Sequence, residues 1–267
     1  MSVRIIAEVG ENHLGDLDRA LEMVQLAASS GADFVKFQSY AEEDLSAEVS
    51  DETRTWIRRT QLTVDDHHRL REQAERCGIT FLSTAVNVKW AKVLRDMGCR
   101  AVKLASLSLT NHALLSFAGE SFEEVFFSTG MGEIEEIKQA LEAVGTRTNV
   151  TLLHCVSEYP TPDSHASLLS IPYLREKFHC QVGYSDHTIG TAACIAACAL
   201  GAELIEKHFT LDKTLEGTDH ILSADPVEMA FIAHGCRRVS NMLGALDKRP
   251  TEEELSNRTS MRELFLP

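Results

Sequence analysis

The chain has 267 residues, 44% of them hydrophobic and 25% charged, with a formal net charge of −14; that is the composition of a globular protein, and its length suits a single large α/β barrel. So acidic a balance argues against a nucleic-acid surface, and no apolar run is long enough to span a membrane. The opening stretch MSVRIIAEVGENHLG breaks its apolar run at Glu8 and makes a poor signal peptide, so a cytoplasmic location is expected.

Short runs rich in β-branched and aromatic residues recur at 3–9, 33–38, 79–84, 100–106, 124–129, 150–156, 180–185 and 203–209. Stretches of helical period lie between them, as at 17–32, 63–78 and 133–145, and several end on a glycine suited to a helix C-cap. Strand and helix alternating eight times predict a (β/α)8 TIM barrel over residues 1–245, with parallel strands buried on both faces. Residues 246–267 are polar, then weakly apolar, and are expected to pack as a C-terminal tail. The seven cysteines are odd in number and scattered, as reduced core thiols would be; Cys194 and Cys198, four apart on an expected helix, make only a weak metal motif.

In this fold the active site forms at the C-terminal ends of the strands. The residues there are Glu8 with Asn12 and His13, Lys36 with Gln38, Ser83 with Thr84, Lys103 with Ser106, Ser128 with Thr129, Ser157 with Tyr159, Ser185 with Asp186 and His187, and Glu206 with His208. Loops are polar, so any one of these alone says little. Lys36 and Lys103 say more, because each stands inside an apolar run and an unpaired buried lysine is rare; two of them at a barrel mouth suggest a bound anion. Lys36, Lys103, Ser106, Ser128 and Ser185 could supply charge and hydrogen bonds to a phosphate, and the stretch STGMG leads into a helix N-terminus that favours an anion. His187 and His208 end adjacent strands, where two imidazoles with Glu8, Glu206 or Asp219 could share a divalent metal, and spacing alone does not choose among Mn, Fe, Co and Zn.

The segments AEVGENHLGD, GADFVKFQSY, ITFLSTAVN, VKLAS, FSTGMGEIEEI, LLHCVSEYPTP, GYSDHTIG and IEKHFTLDKTLEGTDH, running in order from about residue 4 to about residue 260, resemble the sialic acid synthase family. That resemblance implies condensation of phosphoenolpyruvate with an open-chain aldose to an ulosonic acid, and a divalent metal, usually manganese, with magnesium or cobalt as alternatives. It also implies a homodimer. Residue by residue, it makes His187 and His208 the metal ligands and places Glu8 near the metal and the aldehyde. Lys36, Lys103, Ser106, Ser128 and Ser185 become the phosphoenolpyruvate cradle, Glu206 and Asp219 the acids that bind hydroxyls or order the metal shell, and Tyr159 a pocket tyrosine. Gln38 and Asn12 join the substrate-binding set. The alternation of a strand then turns Glu206 and His208 into the barrel mouth and Lys207 toward the helices.

Departures from the family pattern give further expectations. Ser108 stands where an acid usually handles the attacking water, Ser157 where some members have asparagine, and Glu11 where an apolar residue is common, so that Glu11 could bind a hydroxyl or amine on a different sugar. The family normally continues into an antifreeze-like domain whose arginine contacts the acceptor's N-acetyl group; the sequence ends at Pro267 without it, so an acceptor other than N-acetylmannosamine is expected. Two other readings stay open: a catalytically silent sugar- or phosphate-binding barrel acting as a partner subunit, and a metal-dependent aldolase or isomerase.

Overall fold

A computed structural model describes residues 3–245 and 247–265; residues 1, 2, 246, 266 and 267, which the sequence reading assigns to the barrel's start and to the tail, lie outside the described residues. In chain order the elements are β1 (Arg4–Glu8), α1 (Leu17–Ser29), β2 (Phe34–Ser39), α2 (Asp51–Thr60), α3 (Val64–Cys77), β3 (Thr80–Ala85), α4 (Val88–Asp96), β4 (Ala101–Leu104), α5 (His112–Ser121), β5 (Glu124–Ser128), α6 (Ile134–Val144), β6 (Asn149–Cys155), α7 (Ser170–Phe178), β7 (Gln181–Asp186), α8 (Ala192–Ala199), β8 (Leu204–His208), α9 (Pro226–Met242) and α10 (Glu252–Glu263). The strands pair in parallel in sequence order and close through β1 and β8, with Glu8 opposite His208. This is the TIM barrel expected from the sequence.

The helices start and stop where local chemistry says they should. Thr63 and Asp66 cap α3 reciprocally, and Gly78 ends it at φ 70°, a left-handed conformation that glycine adopts without a Cβ clash. Asp225 and Glu228 cap α9, with Pro226 in its first turn where no N–H is needed.

The period of two along each strand sorts its side chains into two cores. Residues facing the helices, among them Ile5, Ala7, Val35, Val102, Val125 and Ile205, join the large outer core. Those facing inward fill the barrel with Ile6, Phe34, Leu82, Ala101, Phe126, Leu153 and Leu204. Below them the Arg4 guanidinium lies 5.5 Å from the Phe34 ring centroid and 5.2 Å from that of Phe126, and pairs with Glu124 at 2.7 Å, which closes the floor. Gly183 holds an inward position because a Cβ there would come within 2.3 Å of the Leu204 carbonyl oxygen and 2.6 Å of Leu153.

Two expectations need correction. Among the described residues of the tail, 247–265, none is buried: Thr251 and Glu254 cap α10, but a helix this rich in Glu, Arg, Ser and Asn offers no continuous apolar stripe to pack. The β2–β3 connection carries two helices, α2 as well as α3. Among the described residues no helix is long and apolar enough to cross a membrane, and all seven cysteines are free thiols.

Candidate active site

Above the apolar filling, the inward positions turn polar: Glu8, Lys36, Thr84, Lys103, Ser128, Cys155, Ser185 and Glu206, one from each strand, are all buried. Each lies two residues beyond an inward-facing residue of the layer below, so the alternation that fills the barrel also aims its mouth. With the loops above, these residues line a cleft of about 550 Å³ at the C-terminal end of the barrel.

Charge in the cleft is organised around Glu206. Lys36 Nζ lies 2.9 Å from Glu8 Oε2, 3.5 Å from Glu206 Oε2 and 2.9 Å from Thr84 Oγ1. Lys103 Nζ donates to Ser128 Oγ at 2.7 Å and lies 3.7 Å from Glu206 Oε1, which also accepts from Ser185 Oγ at 2.7 Å. Burial alone would raise the Glu206 pKa; Lys103 and Lys36 outweigh it and hold the carboxyl at about 2, so it is ionised. Burial would likewise lower Lys36, but Glu206 and Glu8 outweigh it and the amine is held protonated. Lys103 has less compensation, and burial brings it below its ordinary value. Glu8 is pushed up by burial, which Lys36 opposes and Glu206 reinforces, and its Oε1 accepts from Gln38 Nε2 at 2.9 Å. A carboxyl raised in this way is a better proton acceptor than an ordinary glutamate, which suits a group that exchanges a proton with substrate.

Two serine hydroxyls close on a glycine of the β5–α6 loop. The Gly130 N–H donates to Ser106 Oγ at 3.1 Å, and a Cβ on Gly130 would come within 2.3 Å of Ser157 Oγ and 2.7 Å of Ser106 Oγ. Only a glycine lets these hydroxyls stand around one point.

Across the cleft the His187 and His208 rings sit 5.4 Å apart, with the Tyr159 ring 4.0 Å from that of His187. His187 Nδ1 donates to the Val156 carbonyl at 2.7 Å, which leaves Nε2 as the position for a lone pair in the neutral ring; burial lowers the pKa of this imidazole, but Cys155 and the Val156 carbonyl outweigh it and raise it. Burial pushes the His208 pKa down to about 4, opposed by Asp219 and reinforced by His187 and Lys36, so its imidazole is neutral near pH 7, as a metal ligand must be. Buried His208 Nδ1 makes no hydrogen bond, although Asp219 Oδ2 is 3.3 Å away. Among the described residues no three His, Cys, Asp or Glu side chains are arranged to hold a metal between them. The two imidazoles facing one another across 5.4 Å are donors of the kind a divalent transition-metal ion takes.

Most residues singled out in the sequence meet here: Glu8, Glu11, Lys36, Gln38, Lys103, Ser106, Ser128, Ser157, Tyr159, Ser185, His187, Glu206, His208 and Asp219 all line the cleft. Asn12 does not; its side-chain amide donates to the Phe209 carbonyl and to Ser223 Oγ, both at 2.9 Å, and ties the β1 loop to the β8 loop. Nor does Ser108, which is buried outside the cleft lining, its hydroxyl without a partner. Lys207 points outward as expected, and pairs with Asp186 at 2.8 Å with both side chains fully buried. Thr84, already placed at a strand end, lines the cleft too, as does Cys155, for which the parity of its strand, two residues past Leu153, was the signal.

A closed parallel barrel with charged, hydrogen-bonding side chains converging at its C-terminal mouth defines an enzyme of the TIM-barrel class. A family model for the NeuB family matches residues 23–248. An N,N'-diacetyllegionaminic acid synthase of Campylobacter jejuni is 37% identical over 97% of this chain and 83% of its own length. Human N-acetylneuraminate-9-phosphate synthase is 32% identical over 92% of this chain and 72% of its own. The crystal structure of an N-acetylneuraminic acid synthetase from Leptospira borgpetersenii, in complex with citrate, superposes with a TM-score of 0.93 at 34% identity, over 99% of this chain and 93% of that one. The chain belongs to the NeuB family, and the resemblance to sialic acid synthases seen in its motifs holds over its length.

Proposed function

We propose that the protein condenses phosphoenolpyruvate with an open-chain aldose to give a 3-deoxy-ulosonic acid and inorganic phosphate. The observation that carries this reading is the pair of buried lysines, Lys36 and Lys103, gathered around one ionised glutamate beside the Ser106, Ser128 and Gly130 cradle. That half of the cleft suits an anion with a phosphate and a carboxylate; the half bounded by Glu8, Asp219 and the two histidines suits a polyol. In the reaction the enol carbon of phosphoenolpyruvate bonds to the aldehyde carbon, water adds at the carbon bearing the phosphate, and phosphate departs with its bridging oxygen. Lys36 and Lys103 hold the anion against the aldehyde, and Glu8, whose carboxyl is raised by burial, handles a proton at the new alcohol or at the water.

His187 and His208 would hold a divalent metal, with manganese our choice and magnesium or cobalt as alternatives. Bound there, it would supply Lewis-acid polarisation of the aldehyde. The carboxylate of Glu11 in the cleft wall supports an acceptor other than N-acetylmannosamine, and the resemblance supports a cytoplasmic homodimer. The test is consumption of phosphoenolpyruvate and release of phosphate with Mn²⁺ across a panel of four- to six-carbon aldoses, with and without N-acetyl groups. Release that requires one aldose is expected; a protein that binds phosphoenolpyruvate and metal yet turns over with none would sink the proposal.

A further inference from the structure

We propose that Glu11 is an acceptor-specificity residue that selects an aldose with free hydroxyl or amino groups over the same aldose carrying a terminal phosphate ester. The inference rests on the condensation reading above and adds the charge state of the acceptor. Relatives of this chain leave that state open, since one is named for a 9-phosphate product and another for an acid without phosphate in its name.

Glu11 follows β1 in the loop over the barrel mouth, and its carboxylate is held from two sides. Tyr40 OH donates to Oε1 at 3.1 Å and the Trp56 indole N–H on α2 donates to Oε2. Tyr40 is fixed in turn by Thr60 Oγ1 at 2.8 Å, and Thr60 donates to the Trp56 carbonyl at 3.0 Å. Burial raises the pKa of this carboxyl and the bonds from Trp56 and Tyr40 oppose that rise; in its ionised form it accepts about four hydrogen bonds, so each oxygen keeps one lone pair for a further donor. Pinning α2 to the β1 loop accounts for the two bonds but not for the carboxylate's place in the cleft wall, where it stands with Glu8 and Asp219.

The balance of charge sets the selectivity. Among the described residues of the cleft lining, the acids are Glu8, Glu11, Glu206 and Asp219, and Lys36 and Lys103 are the lysines, with no arginine. Both lysines are paired to glutamates and serve the phosphoenolpyruvate half. Arg59, whose guanidinium lies over the Trp56 ring, is committed to Glu216 at 3.0 Å. A phosphate ester on the acceptor would therefore meet Glu11 and Asp219 with no lysine or arginine of that half of the lining to offset them, the metal proposed at the two histidines being taken up by the aldehyde, whereas a hydroxyl or ammonium there gains an acceptor already oriented by an indole and a phenol.

The experiment measures phosphoenolpyruvate consumption with Mn²⁺ and matched pairs: aldohexoses and 2-acetamido-aldohexoses, each free and as its 6-phosphate. The active free sugar should show kcat/KM at least about 100-fold above its phosphate ester. Glu11→Gln should narrow that ratio by roughly tenfold and leave the KM for phosphoenolpyruvate unchanged. Equal use of both forms, or preference for the phosphate, by the wild-type protein overturns the inference and leaves the condensation reading standing, and this arm needs no variant to fold. An unchanged ratio in a Glu11→Gln protein that melts as the wild type does also overturns it. Phosphoenolpyruvate consumption with no sugar of either form removes the condensation reading and this inference with it.

Discussion

At the scale of single residues, the buried charges of the cleft give separable predictions. Lys103→Ala leaves Glu206 with Lys36 as its remaining cation and takes a donor from Ser128, so in a folded variant the KM for phosphoenolpyruvate should rise roughly 30-fold or more; unchanged binding would remove Lys103 from the cradle. His187→Ala or His208→Ala should abolish metal-dependent turnover, and retained activity in either would show that the ion sits elsewhere. His13 makes a stability prediction. It is buried, its Nδ1 accepts from the Gly15 N–H at 3.0 Å, and burial lowers its pKa to about 4 from an ordinary 6.5. Between those values the unfolded chain binds a proton that the folded chain does not, so this contribution is present above pH 6.5 and lost as the pH falls toward 4, by about 2 kcal/mol between pH 7 and pH 5. Urea unfolding at both pH values should show the loss, and His13→Gln should be less stable at pH 7 with a shallower slope. Some slope should remain, because burial also lowers His67 and His154. Lys103 and His208, which carry two of these predictions, were legible in the sequence because a strand fixes which way its side chain points, whereas His13 shares its loop turn with Asn12. Asn12 and Ser108 were not, because they lie in loop turns, where spacing carries no direction.

At the scale of elements, legibility followed periodicity. Each of the eight strands begins and ends within two residues of its sequence estimate, since apolar runs flanked by glycines and polar turns define a buried parallel strand. α2 escaped notice because DETRTWIRRT exposes most of its length and buries only Thr60, yet it carries the tryptophan that orients Glu11. The apolar residues at the end of the sequence suggest a tail that packs, but they do not recur at helical spacing through α10. With nothing in α10 buried, deleting residues 247–267 should shift the melting temperature by no more than about 2 °C; a drop of 5 °C or more would mean that α10 docks on the barrel in solution. Gly183→Ala makes the opposite prediction within β7. Its methyl would press on the β8 backbone and on Leu153, neither of which can retreat in a closed barrel, and the expected loss is about 2 to 3 kcal/mol in denaturant unfolding.

For the whole molecule, the cleft works against its own surroundings. A formal net charge of −14 surrounds a site that we propose binds phosphoenolpyruvate, itself an anion, so the long-range field repels the substrate while the paired lysines attract it locally. The two effects respond differently to salt. Surface charges more than a screening length away are silenced as that length falls from about 30 Å at 0.01 M to about 8 Å at 0.15 M, whereas contacts at the buried lysines are screened far less. Raising ionic strength across that range should therefore leave the KM for phosphoenolpyruvate level or lower it up to about twofold, the reverse of what a basic anion-binding surface would show. Steady-state kinetics in a chloride series at fixed metal concentration measure it directly. A KM rising severalfold with salt would mean that exposed cations outside the cleft draw the substrate in, and that the two buried lysines are not the main source of its affinity.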